Sequence, residues 1–248
     1  MRYLAFLAAL ALPIGSAAAE DGDKPTVEPK PAALIADGVP EVPVELAAAT
    51  RPYMENRGAG FVGWNPIDKS MLVSTRFGNT AQLHRVAMPM GARKQITFEA
   101  EPVSSGSWAP KRADVMLVQK DIGGNEFYQI YAMKDGRLDL LTDGKSRNGL
   151  NAWSQDGQLV AFTSTLRNAR DSDIYVMDPR DPKSRRMVAR VEGGGWGLLD
   201  FTPDKSWALV GKYTSVQKAD LFRLDLDSGA MTPIGDHGKL SLIHISEP

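Results

Sequence analysis

An aromatic residue returns in phase four times along this chain, and no other feature narrows the fold as much. Trp64 stands in WNP, Trp108 in WAP, Trp153 in WSQ and Phe201 in FTP, at spacings of 44, 45 and 48 residues. A strand-like apolar run follows each anchor: Met71–Val73, Val115–Val118, Leu159–Phe162 and Ala208–Val210. About twenty residues past each anchor another signature recurs, as LHRV from Leu83, IYAM from Ile130, IYVM from Ile174 and LFRL from Leu221. Turn residues come next (Pro89–Ala92, Asp135-Gly136, Pro179–Ser184, Asp227–Gly229). A short closing strand is expected at the end of each copy: Gln95–Thr97, Leu138–Thr142, Met187–Ala189 and Met231–Ile234.

Four short strands in roughly 45 residues is the pattern of a β-propeller blade. A blade is a small twisted sheet with two apolar faces, and it hides both only by stacking on neighbours. The aromatic anchors are expected to fill the gaps between blades. A β-sandwich would leave the in-phase returns unexplained. The expected fold is all-β: a partial β-propeller of about four four-stranded blades over residues 61–239. Closed rings usually hold about 4–8 blades. The first anchor follows the tether closely, so these four read as the opening part of a larger ring, whose bare outer faces favour self-association.

The two ends read differently. Arg2, the apolar run Tyr3–Ile14 and Ala17-Ala18-Ala19 have the form of a signal peptide over residues 1–19, cleaved after Ala19. The run is shorter than the ~20 residues that span a bilayer. This predicts a periplasmic or secreted protein with no membrane attachment after cleavage. Residues 20–60 read as a Pro-rich tether with a short helix from Glu45 to Asn56. Residues 240–248, LSLIHISEP, match codon by codon the translation of a transposase adapter used in library preparation. That segment is expected to be an artefact, with the natural C-terminal part lost near Lys239.

Composition excludes more than it proposes. Lys plus Arg is 29 against 30 acids, a net charge of -1, which argues against a nucleic-acid partner. The absence of cysteine removes disulfides, thiolate metal sites and a cysteine nucleophile. The histidines are His84, His237 and His244. His84 occupies a strand position where the other copies carry Tyr or Phe, so a structural role is expected. His237, beside Asp236, reads as a loop residue, and His244 falls in the suspect tail. No G-x-S-x-G elbow occurs. Gly144-Lys145-Ser146 imitates the end of a phosphate-binding loop, but position 139 is Asp where that loop needs Gly. Gly193-Gly194-Gly195 reads as a tight inter-blade turn. Asp225, Asp227 and Gly229 lack the closing Glu of a calcium loop and read as a hairpin turn. Asp171 and Asp173 are conceivable metal ligands that a solvated loop explains as well. No catalytic, cofactor or metal residue is assigned.

The strings RFGNTAQLHR from Arg76, DIGGNEFYQIY from Asp121, TDGKSRNG from Thr142, DSDIYVMDP from Asp171 and GGGWGLLDFTPD from Gly193 resemble the propeller of prolyl oligopeptidase family serine peptidases. Dipeptidyl aminopeptidase-like and acylaminoacyl-peptidase-like enzymes belong to that group. The resemblance runs from about Pro40 to Lys239. It implies a whole protein in which this propeller gates short peptide substrates for a C-terminal α/β-hydrolase domain with a Ser-His-Asp triad. None of the triad residues carries over to this chain, so the fragment is expected to be inactive alone. Some members hold the substrate's free amino terminus with propeller carboxylates, and Glu126 is the candidate this implies. The alternative is a periplasmic TolB-like propeller that binds partner proteins and catalyses nothing. TolB-like proteins place a sizeable domain before the propeller, for which residues 20–60 leave no room.

Overall fold

The computed structural model describes residues 25–235. The sequence readings on residues 1–19, His237, His244 and residues 240–248 lie outside the described residues. The chain divides after Asn56 into two units. In the first, α1 spans Val44–Met54 and follows an isolated antiparallel bridge between Val27 and Pro43. No side chain caps its N-terminus, and it buries no residue.

The other unit is built from four four-stranded antiparallel sheets, each a simple meander. Blade 1 holds β1 (Ala59–Trp64), β2 (Met71–Thr75), β3 (Gln82–Val86) and β4 (Arg93–Gln95). Blade 2 holds β5 (Gly106–Trp108), β6 (Met116–Lys120), β7 (Gln129–Lys134) and β8 (Arg137–Leu140). Blade 3 holds β9 (Asn148–Trp153), β10 (Val160–Ser164), β11 (Asp173–Asp178) and β12 (Asp181–Ala189). Blade 4 holds β13 (Trp196–Phe201), β14 (Trp207–Ser215), β15 (Lys218–Asp225) and β16 (Met231–Pro233). The strands follow the repeat, with each anchor ending the first strand of its blade. The closing strands depart from expectation at their ends. β4 (Arg93–Gln95) and β8 (Arg137–Leu140) stop before the expected Thr97 and Thr142, whose hydroxyls instead accept from Leu83 N–H at 2.9 Å and Ile130 N–H at 3.1 Å, and β16 stops at Pro233. β12 starts at Asp181, inside the expected turn, which shrinks the turn to Pro179-Arg180.

Residues paired directly across antiparallel strands share a face of the sheet. In blade 2, Trp108, Met116, Val118 and Tyr131 share one face, and Leu117 and Ile130 lie on the other. The Trp108 face is turned back to blade 1, where it packs on Leu72 and Leu83. The Leu117 face is turned forward and packs on Val160, Phe162, Tyr175 and Met177 of blade 3. Blades 3 and 4 repeat the arrangement through Ala161, Ile174 and Val176 against Leu198, Ala208, Val210 and Leu224. Three apolar cores thus fill the three gaps between four blades.

Polar stitches follow the same steps. The Arg180 guanidinium of blade 3 forks onto Asp114 of blade 2 at 2.8 and 2.9 Å, which holds the Asp114 carboxyl down at about 2. Lys205 of blade 4 pairs with Asp156 of blade 3. Trp153 Nε1 donates to Ser107 Oγ across the gap between blades 2 and 3 at 3.0 Å.

One expectation is corrected here. Trp108, Trp153 and Phe201 do fill inter-blade gaps, but Trp64 is 60% exposed. Each anchor faces the preceding blade, and among the described residues no blade precedes the first.

Candidate functional site

The β2-to-β3 loops and the connections between blades lie at the same end of the sheets. A pocket of about 650 Å³ opens there in blade 2, lined by Glu101, Pro102, Ser104, Ser105, Gln119, Asp121, Gly124, Glu126 and Tyr128. One wall is the connection from β4 to β5. Its shape is set by Gln82, whose Nε2 donates to the carbonyls of Glu99 and Glu101, both at 3.0 Å. Val103 is fully buried and anchors that wall from beneath. The other wall is the loop from Asp121 to Tyr128. Gly123, Gly124 and Glu126 all have positive φ, so the loop coils tightly. The nearly buried Asp121 holds this shape by accepting from Glu126 N–H at 2.8 Å, and Asn125 Oδ1 accepts from Phe127 N–H at 2.9 Å. A left-handed backbone is costly for a residue with a Cβ. Its presence at Glu126 means that the loop's closure fixes where this side chain starts.

The pocket is acidic. Glu101, Asp121 and Glu126 contribute three carboxylates, and among the described residues none forms an ion pair. The neighbouring Lys120 is engaged by Glu99 at 2.9 Å. Gln119 is tied to blade 3, donating to Asn148 O at 3.1 Å and accepting from Leu150 N–H at 3.2 Å. Such a site attracts a cation or an ammonium group with hydrogen-bond donors of its own. Among the described residues no three His, Cys, Asp or Glu side chains converge as metal ligands.

The other sequence candidates take structural places. His84 is 1% exposed in β3, with Nδ1 against Gln82 O at 3.0 Å and its ring edge-on to Phe77. The carbonyl can only accept, so Nδ1 carries the proton. Asp171 and Asp173 form an ion-pair knot. Arg167 reaches Asp173 at 2.6 Å and Asp171 at 3.0 Å, and Val191 N–H and Gly193 N–H donate into the pair at 2.9 Å. Arg170, the Gly193 N–H and Asn168 hold the Asp171 carboxyl far below the usual carboxylate range. A metal ion would have to displace two guanidinium groups. Asp143 gathers Gly144-Lys145-Ser146 into a turn by accepting from Ser146 N–H and Oγ. Asp225 does the same for the turn at Asp227-Ser228. Gly195 is required where it stands: φ is 79° and a Cβ would lie 2.2 Å from Tyr213 O. Sequence reasoning singled out Glu126 but missed Glu101 and Asp121. Their common pocket depends on folding the β4–β5 connection over the next blade's loop, which no local motif announces.

No protein-family model and no curated protein matches the sequence. The solved structures similar to it are propeller proteins. A structure from work on two prolyl endopeptidases has a TM-score of 0.53 at 10% identity, covering 72% of this chain and 30% of the other. Porphyromonas gingivalis dipeptidyl peptidase 4 gives 0.52 at 14% identity, covering 72% of this chain and 26% of the other. TolB from Acinetobacter baumannii gives 0.47 at 16% identity, covering 79% of this chain and 47% of the other. The likeness to the two peptidase structures shows the fold alone: this chain is a β-propeller arc. It spans less than half the length of each of these three proteins.

Proposed function

We propose that this arc is the substrate-gating propeller portion of a periplasmic or secreted serine peptidase that hydrolyses short peptides. The acidic pocket of blade 2 holds the peptide's free amino terminus in this reading. The observation that carries it is a peptide-sized opening lined by Glu101, Asp121 and Glu126, with no ion-pair partner for them among the described residues. An ammonium terminus supplies one positive charge and three N–H donors, and of a short peptide's two charged ends it is the one that suits a pocket of carboxylates. The Asp121-to-Tyr128 loop is also one of the strings that resemble the peptidase family. The acyl-transfer step itself belongs to the α/β-hydrolase domain which that resemblance implies.

Calorimetric titration of the 248-residue chain with trialanine and with N-acetyl-trialanine tests the pocket. Free trialanine binds weakly, and either acetylation or Glu126→Gln lowers affinity about tenfold, as expected when one charged hydrogen-bonding partner is lost. Equal binding of the two peptides, or no binding of either at millimolar concentration, contradicts the role. A TolB-like protein-binding propeller then becomes the better account.

A further inference from the structure

The acidic pocket of blade 2 has a charge of the opposite sign at its edge towards blade 3. Phe127 stands in the chain between the pocket residues Glu126 and Tyr128, and the Arg147 guanidinium lies over its ring, 5.2 Å from the centroid. Arg147 ends the connection from β8 to β9. The next residue, Asn148, is buried and ties this connection to two residues of the pocket. Its N–H and Nδ2 both donate to Tyr128 O at 3.1 Å, and its carbonyl accepts from Gln119 Nε2 at 3.1 Å.

The backbone of Arg147 is fixed as well. Its N–H donates to Thr165 Oγ1 and its carbonyl accepts from Thr165 N–H, both at 3.0 Å, and Thr165 is itself buried. The Arg147 side chain is exposed, and among the described residues it forms no ion pair. An aromatic platform orders a guanidinium before any ligand arrives and leaves its N–H edge open to a carboxylate. Three carboxylates without a cation thus stand beside an ordered cation without a carboxylate. Together they match a ligand that carries one charge of each sign a short way apart.

We propose that Arg147 receives the C-terminal carboxylate of the same peptide whose amino terminus enters the acidic pocket, so that the substrates are short peptides with both ends free. This rests on the peptidase reading of the pocket and deepens it. A guanidinium meets a carboxylate through two parallel N–H···O bonds, whereas a C-terminal amide turns an NH2 donor towards it. An interior stretch of a long chain has neither terminal charge and gains nothing at either place. The two charges therefore select by chain ends, whatever the side chains between them.

Trialanine, trialanine amide and N-acetyl-trialanine, each titrated calorimetrically into the 248-residue chain at neutral pH and low salt, separate the two ends. Amidation is expected to weaken binding about fivefold, the upper range for an exposed ion pair, and added salt should shrink the difference. An acidic pocket alone predicts the reverse order, because the amide carries a net positive charge. Arg147→Gln should accordingly bind the amide at least as tightly as the free acid, and Arg147→Lys should keep part of the preference for the acid. Circular dichroism checks that both variants retain their sheet content. Acetylation reads the amino-terminal pocket and amidation reads Arg147, so the two failures are distinguishable. Equal or tighter binding of the amide by the unaltered chain, a preference for the acid that survives Arg147→Gln, or no binding of trialanine at all overturns the proposal.

Discussion

Gln129 opens the third strand of blade 2, and its amide closes five contacts at once. Its Oε1 accepts from Thr142 Oγ1 at 2.7 Å, Gly144 N–H at 3.0 Å and Asn148 Nδ2 at 3.1 Å, and its Nε2 donates to Ser146 O at 2.6 Å and Phe127 O at 3.0 Å. Gln82 and Asp173 hold the same position in blades 1 and 3, and each clasps the connection that leads to the next blade. Gln129→Leu strands several buried donors at about 1–3 kcal/mol each. Urea denaturation of this variant is expected to show a loss of about 3 kcal/mol, against under about 1 kcal/mol for an exposed control such as Lys183→Ala. The phase of this position was open to view in the sequence, one residue ahead of LHRV, IYAM and IYVM. Its partners were not, because most are backbone atoms of connections whose path no repeat prescribes. His84 was legible for the opposite reason: comparison with Tyr131, Tyr175 and Phe222 was enough to mark it as a packing residue.

Each blade draws its stability from what stacks on it, so equivalent leucines should differ in value by position in the arc. Leu117 is fully buried between blades 2 and 3, while Leu209 lies half-buried on the forward face of blade 4. Leu117→Ala should cost about 2–5 kcal/mol through lost burial and the cavity left behind. Leu209→Ala should cost about 1 kcal/mol when measured in dilute solution, because water already reaches the site. Equal losses in denaturant titrations would mean that both faces are covered alike. The strands themselves were readable from the alternation of the repeat, since a period of two with one anchor per copy admits few other arrangements. The ends of β4 and β12 were not readable. A threonine hydroxyl that replaces a ladder bond, and a two-residue turn, leave no mark in hydrophobic patterning.

At the scale of the molecule, four blades, three filled gaps and two unmatched faces describe an arc. The repeat made this legible, down to the blade count. The acidic pocket was half legible: Glu126 stood out within its loop string, while Glu101 and Asp121 joined it only once the chain had wound from one blade to the next. The peptidase reading ties that pocket to chemistry supplied by another domain. The measurement that bears on it most directly is the coding sequence of the genomic locus beyond Lys239. The account predicts that the adapter-like segment is missing there and that the frame runs on through further blades into a G-x-S-x-G elbow, followed by an aspartate and then a histidine. A natural stop codon after Pro248, or a continuation without a hydrolase domain, would contradict it.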